Sequence, residues 1–216
     1  MTGFQTTTIT KLAEVRSGGG APQDPSAFSG DGHPFVRAGS LSRLLGGENE
    51  NQLEKLRPDV AHTHRLQLFP KGTVLFAKSG MSATKGYIYS LKQPAYVVNH
   101  LAALVPRDPR DSAFLTRALQ RFSPTSLIKD QAYPSIRLGD IEQMRILAPG
   151  SAEDRGRIAE VLEKADVLRR KRKYALGLLE NLNHSIFIET FGNPHQQSTN
   201  YPVVEVGAVT SCIVPG

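Results

Sequence analysis

The residues of this chain whose types can do chemistry are hydroxyls, amides and cations clustered on glycine-punctuated segments. The stretch Ser79-Gly80-Met81-Ser82-Ala83-Thr84-Lys85-Gly86 joins flexible backbone and hydroxyls to two lysines, Lys78 and Lys85. Such groups suit phosphate oxygens and base edges; a hairpin turn with solvated lysines is the alternative. Asn99 and His100 follow an apolar run. Asparagine pairs with adenine through two hydrogen bonds, and it also caps turns. The segment Lys129–Arg137 (KDQAYPSIR) supplies Gln131 and Tyr133 to read or stack on bases and Arg137 as a further cation, with an interfacial tyrosine as the competing reading. Arg37 and Ser40, near the glycine-rich start of the chain, are further candidates for the same face.

Other chemistries find little support. His62 and His64 are one residue apart and would bind a metal only if exposed on one strand face; no third ligand is evident, which favours a polar loop. Asp59 follows Pro58 without the spaced acid and lysine of a nuclease. Ser17-Gly18-Gly19-Gly20 lacks the lysine and the helix of a phosphate-binding loop and reads as a flexible turn. No Asn-Pro-Pro-Tyr-type methyltransferase motif and no Gly-x-Ser-x-Gly elbow occurs, so catalytic self-sufficiency is not expected. One cysteine, Cys212, excludes an internal disulfide and a thiolate-rich zinc site.

Composition sets the frame. With 216 residues, 39% hydrophobic and 21% charged, the chain can bury a core, and disorder is not the default. No apolar run nears the roughly 20 residues that cross a bilayer, and MTGFQTTTIT is unlike a secretion signal, so no membrane association and a cytoplasmic location are expected. The net charge is +6. Residues 1–150 hold 18 basic and 12 acidic side chains, whereas 151–216 hold 8 of each. The whole excess lies in the first part, which points to a polyanionic partner.

The elements that must position these groups are of two kinds. In the first 148 residues, short apolar runs (Thr73–Ala77, Gly86–Tyr89, Ala95–Val98) alternate with Gly, Pro, Ser and Asn and predict strands, while Ser112–Phe122 has the spacing of a short amphipathic helix. Ser151–Thr190 has no proline and carries apolar residues at alternating intervals of three and four. Written as heptads, Ile158, Ala165, Arg172, Leu179 and Ile186 share one position, and Val161, Leu168, Ala175, Leu182 and Glu189 the other. This predicts a helix about 60 Å long, capped by Ser151 with Asp154 and stopped at Gly192-Asn193-Pro194. One helix cannot cover its own stripe, so a partner from another molecule or from further sequence is expected. The run Arg169–Lys173 points in all directions and reads as a solvated or intersubunit surface, and Arg172 on the seam would need an acidic partner. Ile9–Val15 aligns without gaps with Val203–Val209, 194 residues on, as if the first domain began again.

Taken in order, Leu68–Gly80 (LFPKGTVLFAKSG), Ser135–Ile141 (SIRLGDI), Arg157–Asp166 (RIAEVLEKAD) and Ser185–Pro194 (SIFIETFGNP) make the chain resemble the specificity subunit of type I restriction-modification systems over nearly its whole length. The resemblance implies an α+β architecture: a mixed α/β target recognition domain (1–150), a long coiled-coil-like spacer helix (151–191), and a linker with the start of a second recognition domain (192–216). It implies a non-catalytic subunit that binds one half of a bipartite double-stranded DNA site. The helix interface (Ile158, Val161, Ala165, Leu168, Arg172, Leu179, Leu182, Ile186) would dock methyltransferase subunits beside a restriction subunit. No cofactor is expected in this chain; S-adenosylmethionine belongs to the modification subunit, and ATP and Mg to the restriction subunit. With most of a second recognition domain lacking, self-association through the helix would complete the site. The alternative is an adaptor or inhibitor that holds the modification subunits without reading DNA.

Overall fold

The computed structural model describes residues 3–192 and 204–210, and the chain forms two compact units, residues 1–162 and 163–216. The first opens with β1 (Phe4–Thr8), the helical turn α1 (Ile9–Leu12) and β2 (Ala13–Ser17). Next come β3 (Phe28–Ser29), β4 (His33–Val36), α2 (Ser40–Leu45), β5 (Lys55–Leu56), α3 (Pro58–Thr63), β6 (Leu68–Phe69) and β7 (Val74–Ala77). Then follow β8 (Tyr89–Ser90), β9 (Ala95–Val97), β10 (Leu101–Pro106), α4 (Asp111–Arg121), α5 (Leu138–Glu142) and β11 (Arg145–Pro149). The long helix α6 (Ala152–Phe191) starts in this unit, and the short α7 (Val206–Val209) lies in the second.

The strands make an antiparallel ribbon β1-β11, a four-stranded antiparallel sheet β2-β10-β7-β8, and a five-stranded sheet β3-β5-β4-β9-β6 with one parallel pair, β4-β9. The four-stranded sheet explains why β7 and the first four residues of β10 are continuously apolar: each of its faces carries a core. Leu75, Ala77, Leu101 and Ala103 enter one, with Phe35, Leu41, Leu56 and Phe69. Val74, Phe76, Ala102 and Leu104 enter the other, with Ile9, Phe114, Leu115 and Leu119. Alternation along a strand sends neighbouring side chains to opposite faces, so a strand between two cores shows no polar beat. The helix expected at Ser112–Phe122 is α4, which buries Phe114, Leu115, Ala118 and Leu119.

Two local expectations differ from the structure. Gly86–Tyr89 is not a strand throughout: Gly86 takes φ +62° to close a 3-10 turn at Met81–Lys85, and only Tyr89 and Ser90 pair with β7. Ile88 is buried in the second core without joining the ladder. The glycine run is no free turn. Gly18 and Gly19 cross the chain between β9 and β10 so closely that a Cβ on Gly18 would stand 2.2 Å from the Val97 carbonyl oxygen.

Helix α6 begins as its sequence predicts. The Asp154 amide donates to Ser151 Oγ at 3.0 Å, and that hydroxyl donates to the Asp154 carboxylate at 2.9 Å. The compact unit runs on past residue 150 to Leu162, because Arg155 and Ala159 are buried in it. At the far end Gly192, at φ +84°, donates its amide to the Ile188 carbonyl at 2.8 Å and ends the helix. Within the second unit Leu168, Leu179, Leu182 and Ile186 are about half or more exposed, so the heptad seam is uncovered among the described residues. The run at 169–173 is exposed, with Arg170 3.4 Å from Glu163 and Arg169 3.8 Å from Asp166. Of the proposed repeat, Val203 lies outside the described residues, as do Asn193, Pro194 and Cys212. At the aligned register, helical Val206–Val209 falls opposite Leu12–Val15, the last residue of α1 and the first three of β2.

Candidate nucleic-acid interface

Sheet topology decides which candidates meet. Since β2 and β7 each run antiparallel to β10, they run parallel to each other, and their C-terminal ends lie at one edge with the start of β10. Ser17 ends β2, Lys78 and Ser79 follow β7, and Asn99 and His100 precede β10. The edge is tied by main-chain bonds: Lys78 amide to His100 carbonyl at 2.9 Å, and Asn99 amide to Gly19 carbonyl at 2.8 Å. Ser17 Oγ donates to the Asn99 carbonyl at 3.2 Å. Ser79 Oγ lies 2.8 Å from His100 Nδ1, which orients the imidazole.

A third segment joins them. Ser79 and Ser135 form an antiparallel bridge, flanked by Gly80 amide to Pro134 carbonyl at 2.9 Å and Ile136 amide to Lys78 carbonyl at 2.7 Å. Three stretches separated in sequence thus meet on one edge: 78–85, 99–100 and 133–137. Tyr133, Arg137, Asn99, His100, Met81 and Lys85 are exposed there, with Lys78, Ser79 and Ser82 partly so. Among the described residues, no acidic group pairs with Lys78, Lys85 or Arg137. Gln131 is exposed on the rim of an open cleft of about 960 Å³ that Thr84, Ser126 and Lys129 also line.

Arg37 is partly exposed and Ser40 is buried, and both make contacts within the unit. The Val98 amide donates to the Val36 carbonyl at 3.0 Å, which sets Arg37 beside the Asn99 turn. Its guanidinium, however, donates to Glu54 at 2.8 Å and lies 5.0 Å and 5.2 Å from the ring centres of Phe28 and Phe35. Ser40 is buried, and its hydroxyl accepts the Arg37 amide at 3.2 Å. His62 and His64 are exposed at the end of α3 rather than on a strand, and among the described residues no group of three or more His, Cys, Asp or Glu is placed to hold a metal. No helix among them is long and apolar enough to cross a membrane.

Sequence reading missed two buried polar arrangements, both beyond the opposite end of β7 from this edge. Glu50 accepts the Tyr89 hydroxyl at 2.9 Å and the amides of Lys92 and Gln93 at 2.7 and 3.0 Å. Burial, reinforced by the Glu50 carboxylate, pushes the Tyr89 phenol well above its ordinary range. Asp111 and Arg155 form a buried ion pair. An isolated acid or arginine carries no sequence signal that distinguishes it from a solvated charge.

No family model matches the chain. Over 150 residues it is 24% identical to the type I restriction enzyme MjaIX specificity subunit of Methanocaldococcus jannaschii, a match covering 68% of this chain and 34% of that protein. Among solved structures, the type I restriction-modification S subunit from M. genitalium superimposes with a TM-score of 0.53 at 17% identity, over 87% of this chain and 44% of that one. The HsdS subunit from Thermoanaerobacter tengcongensis gives 0.59 at 20% identity, over 88% and 45%. A chain from a study of assembly and conformational transition of the type I R-M system gives 0.59 at 19% identity, over 85% and 44%. The chain therefore spans about a third of the curated relative's length, 34%, and less than half of the solved chains. A mixed α/β unit continuing into a long helix is the fold this chain shares with the specificity subunits of type I restriction-modification systems, and it is similar in sequence to one of them.

Proposed function

We propose that the chain is a DNA-sequence-recognition module of a type I restriction-modification complex. Its first unit binds one half of a bipartite site, and α6 docks the methyltransferase subunits. The observation that carries this reading is the convergence of Lys78–Lys85, Asn99–His100 and Tyr133–Arg137 on one edge of the unit that holds nearly all of the surplus positive charge. Lys78, Lys85 and Arg137 neutralise phosphates and give salt-dependent affinity, while Asn99, His100 and Gln131 reach base edges. Bond making belongs to companion subunits: methyl transfer from S-adenosylmethionine to an adenine taken out of the stack, and ATP- and Mg-dependent steps in the restriction subunit. A second recognition module, from another copy joined through α6 or from a longer chain, supplies the other half-site. The chain acts in the cytoplasm, where its DNA is.

The test is a gel shift with the purified chain and its companion subunits, first on random duplex and then on duplex recovered by selection. Preference for the selected sequence is expected. Capture of the modification subunits with no preference among duplexes would overturn this function in favour of an adaptor.

A further inference from the structure

At the edge where three segments meet, phosphate neutralisation leaves one feature without a role. Outward from the Gly80–Pro134 hydrogen bond, the next residues are Met81 on one segment and Tyr133 on the other. They are 66% and 82% exposed, among the least covered apolar side chains of the first unit. Their backbones are fixed: the Ser79–Ser135 bridge holds both segments, and Asp130 Oδ1 accepts the amides of Ala132 and Tyr133 at 2.8 and 3.4 Å. Lys78 is hydrogen-bonded through its backbone to His100 and Ile136, Lys85 ends the 3-10 turn that Met81 begins, and Arg137 follows Ile136.

A cationic surround selects a polyanion, and a duplex offers an apolar side chain two surfaces: the thymine methyl group in the major groove, and base faces hidden in the stack. A flat phenol ring matches a base face, and a flexible thioether fills the irregular gap beside an opened step. Rigid presentation spares the pair the ordering cost that two mobile side chains would bear on binding.

We infer that Met81 and Tyr133 form a two-residue wedge that enters the base stack of bound DNA. Tyr133 lies on the base face that is uncovered, and Met81 fills the opening. The inference rests on the DNA-reading function proposed above and adds a mechanism to it: preference for easily unstacked pyrimidine–purine steps at a position that no hydrogen bond reads.

The experiment uses the full chain and a duplex recovered by selection from a random pool. Each adenine is replaced in turn by 2-aminopurine, and thymines are probed with permanganate. On binding, a several-fold rise in fluorescence or reactivity is expected at one step. Tyr133→Ala and Met81→Ala should return that signal to the level of free duplex and weaken binding about tenfold, the loss of one stacked base. Tyr133→Phe should keep both, and all three variants should keep the thermal midpoint. Tight binding with no rise at any position overturns the wedge and leaves DNA reading intact. So does a loss equal to that of Tyr133→Ala when uracil replaces thymine, since that assigns the pair to a methyl contact. If no duplex is ever enriched, DNA reading falls and the wedge with it.

Discussion

Arg155, in the first turn of α6, closes on Asp111, at the start of α4, through two hydrogen bonds: Nε to Oδ1 at 2.6 Å and Nη2 to Oδ2 at 2.9 Å. Its remaining amine donates to the carbonyls of Pro149 and Gly150 at 3.0 and 3.1 Å. One guanidinium thus ties together α4, the turn after β11 and the first turn of the long helix. Both side chains are nearly inaccessible, at 9% and 2%. Removing one partner of such a pair strands a buried charge, at a cost of about 3–5 kcal/mol. Arg155→Ala should therefore lower the urea midpoint strongly. Arg157→Ala, on an exposed i,i+4 pair with Glu153, should change it little. Equal effects from the two would refute the assignment.

Tyr89 and Glu50 give a stability that depends on alkaline pH. Because burial and the Glu50 hydrogen bond raise the phenol above its ordinary value of 10.0, the folded state holds the proton more tightly than the unfolded chain does. Below about pH 10 this contribution is fully present, and it is lost as the pH climbs towards the raised folded value. Urea unfolding at about pH 8 and about pH 11 should show a decline that Tyr89→Phe reduces. At about pH 8, Tyr89→Phe should itself cost about 1–2 kcal/mol, since it leaves a buried carboxylate one donor short.

Gly18 is required by contact rather than by conformation. A methyl group there would meet the carbonyl oxygens of Val97 and Val98 at 2.2 and 2.3 Å, and backbone cannot swing aside as a side-chain tip can. Gly18→Ala is expected to destabilise the first unit by about 1–3 kcal/mol. It should also weaken DNA binding, because the same crossing holds the Asn99 turn. Gly20→Ala, with open space around its Cβ, should leave melting unchanged.

The parts of the fold that the sequence discloses are those whose energy is local. The 3.6-residue rhythm of α4, the cap at Ser151 and the apolar runs of β7 and β9 all announce themselves. Two-residue strands such as β5 and β6 carry no such signal, since they exist only where a distant neighbour offers a ladder. The candidate site divides in the same way. Residue type singles out Ser79, Asn99, His100 and Tyr133, but their meeting depends on a bridge between residues 79 and 135, which no local pattern encodes. Nor does residue type disclose that Arg37 pairs with Glu54 and lies against two aromatic rings.

The cations at the strand ends should reveal themselves through salt. Neutralising one phosphate contact lowers the slope of log affinity against log salt by about one. Lys78→Ala and Lys85→Ala should each flatten the slope by about that amount, and weaken selected and random duplexes alike, because a phosphate contact carries no sequence. Asn99→Ala should leave the slope unchanged and narrow the gap between selected and random duplexes by about 1–3 kcal/mol, the worth of a two-point contact to one base. Titrations at several salt concentrations with each variant separate these roles. An Arg37→Ala variant whose slope fell as far as that of Lys78→Ala would show that DNA draws the guanidinium away from Glu54, and would widen the binding edge to include β4.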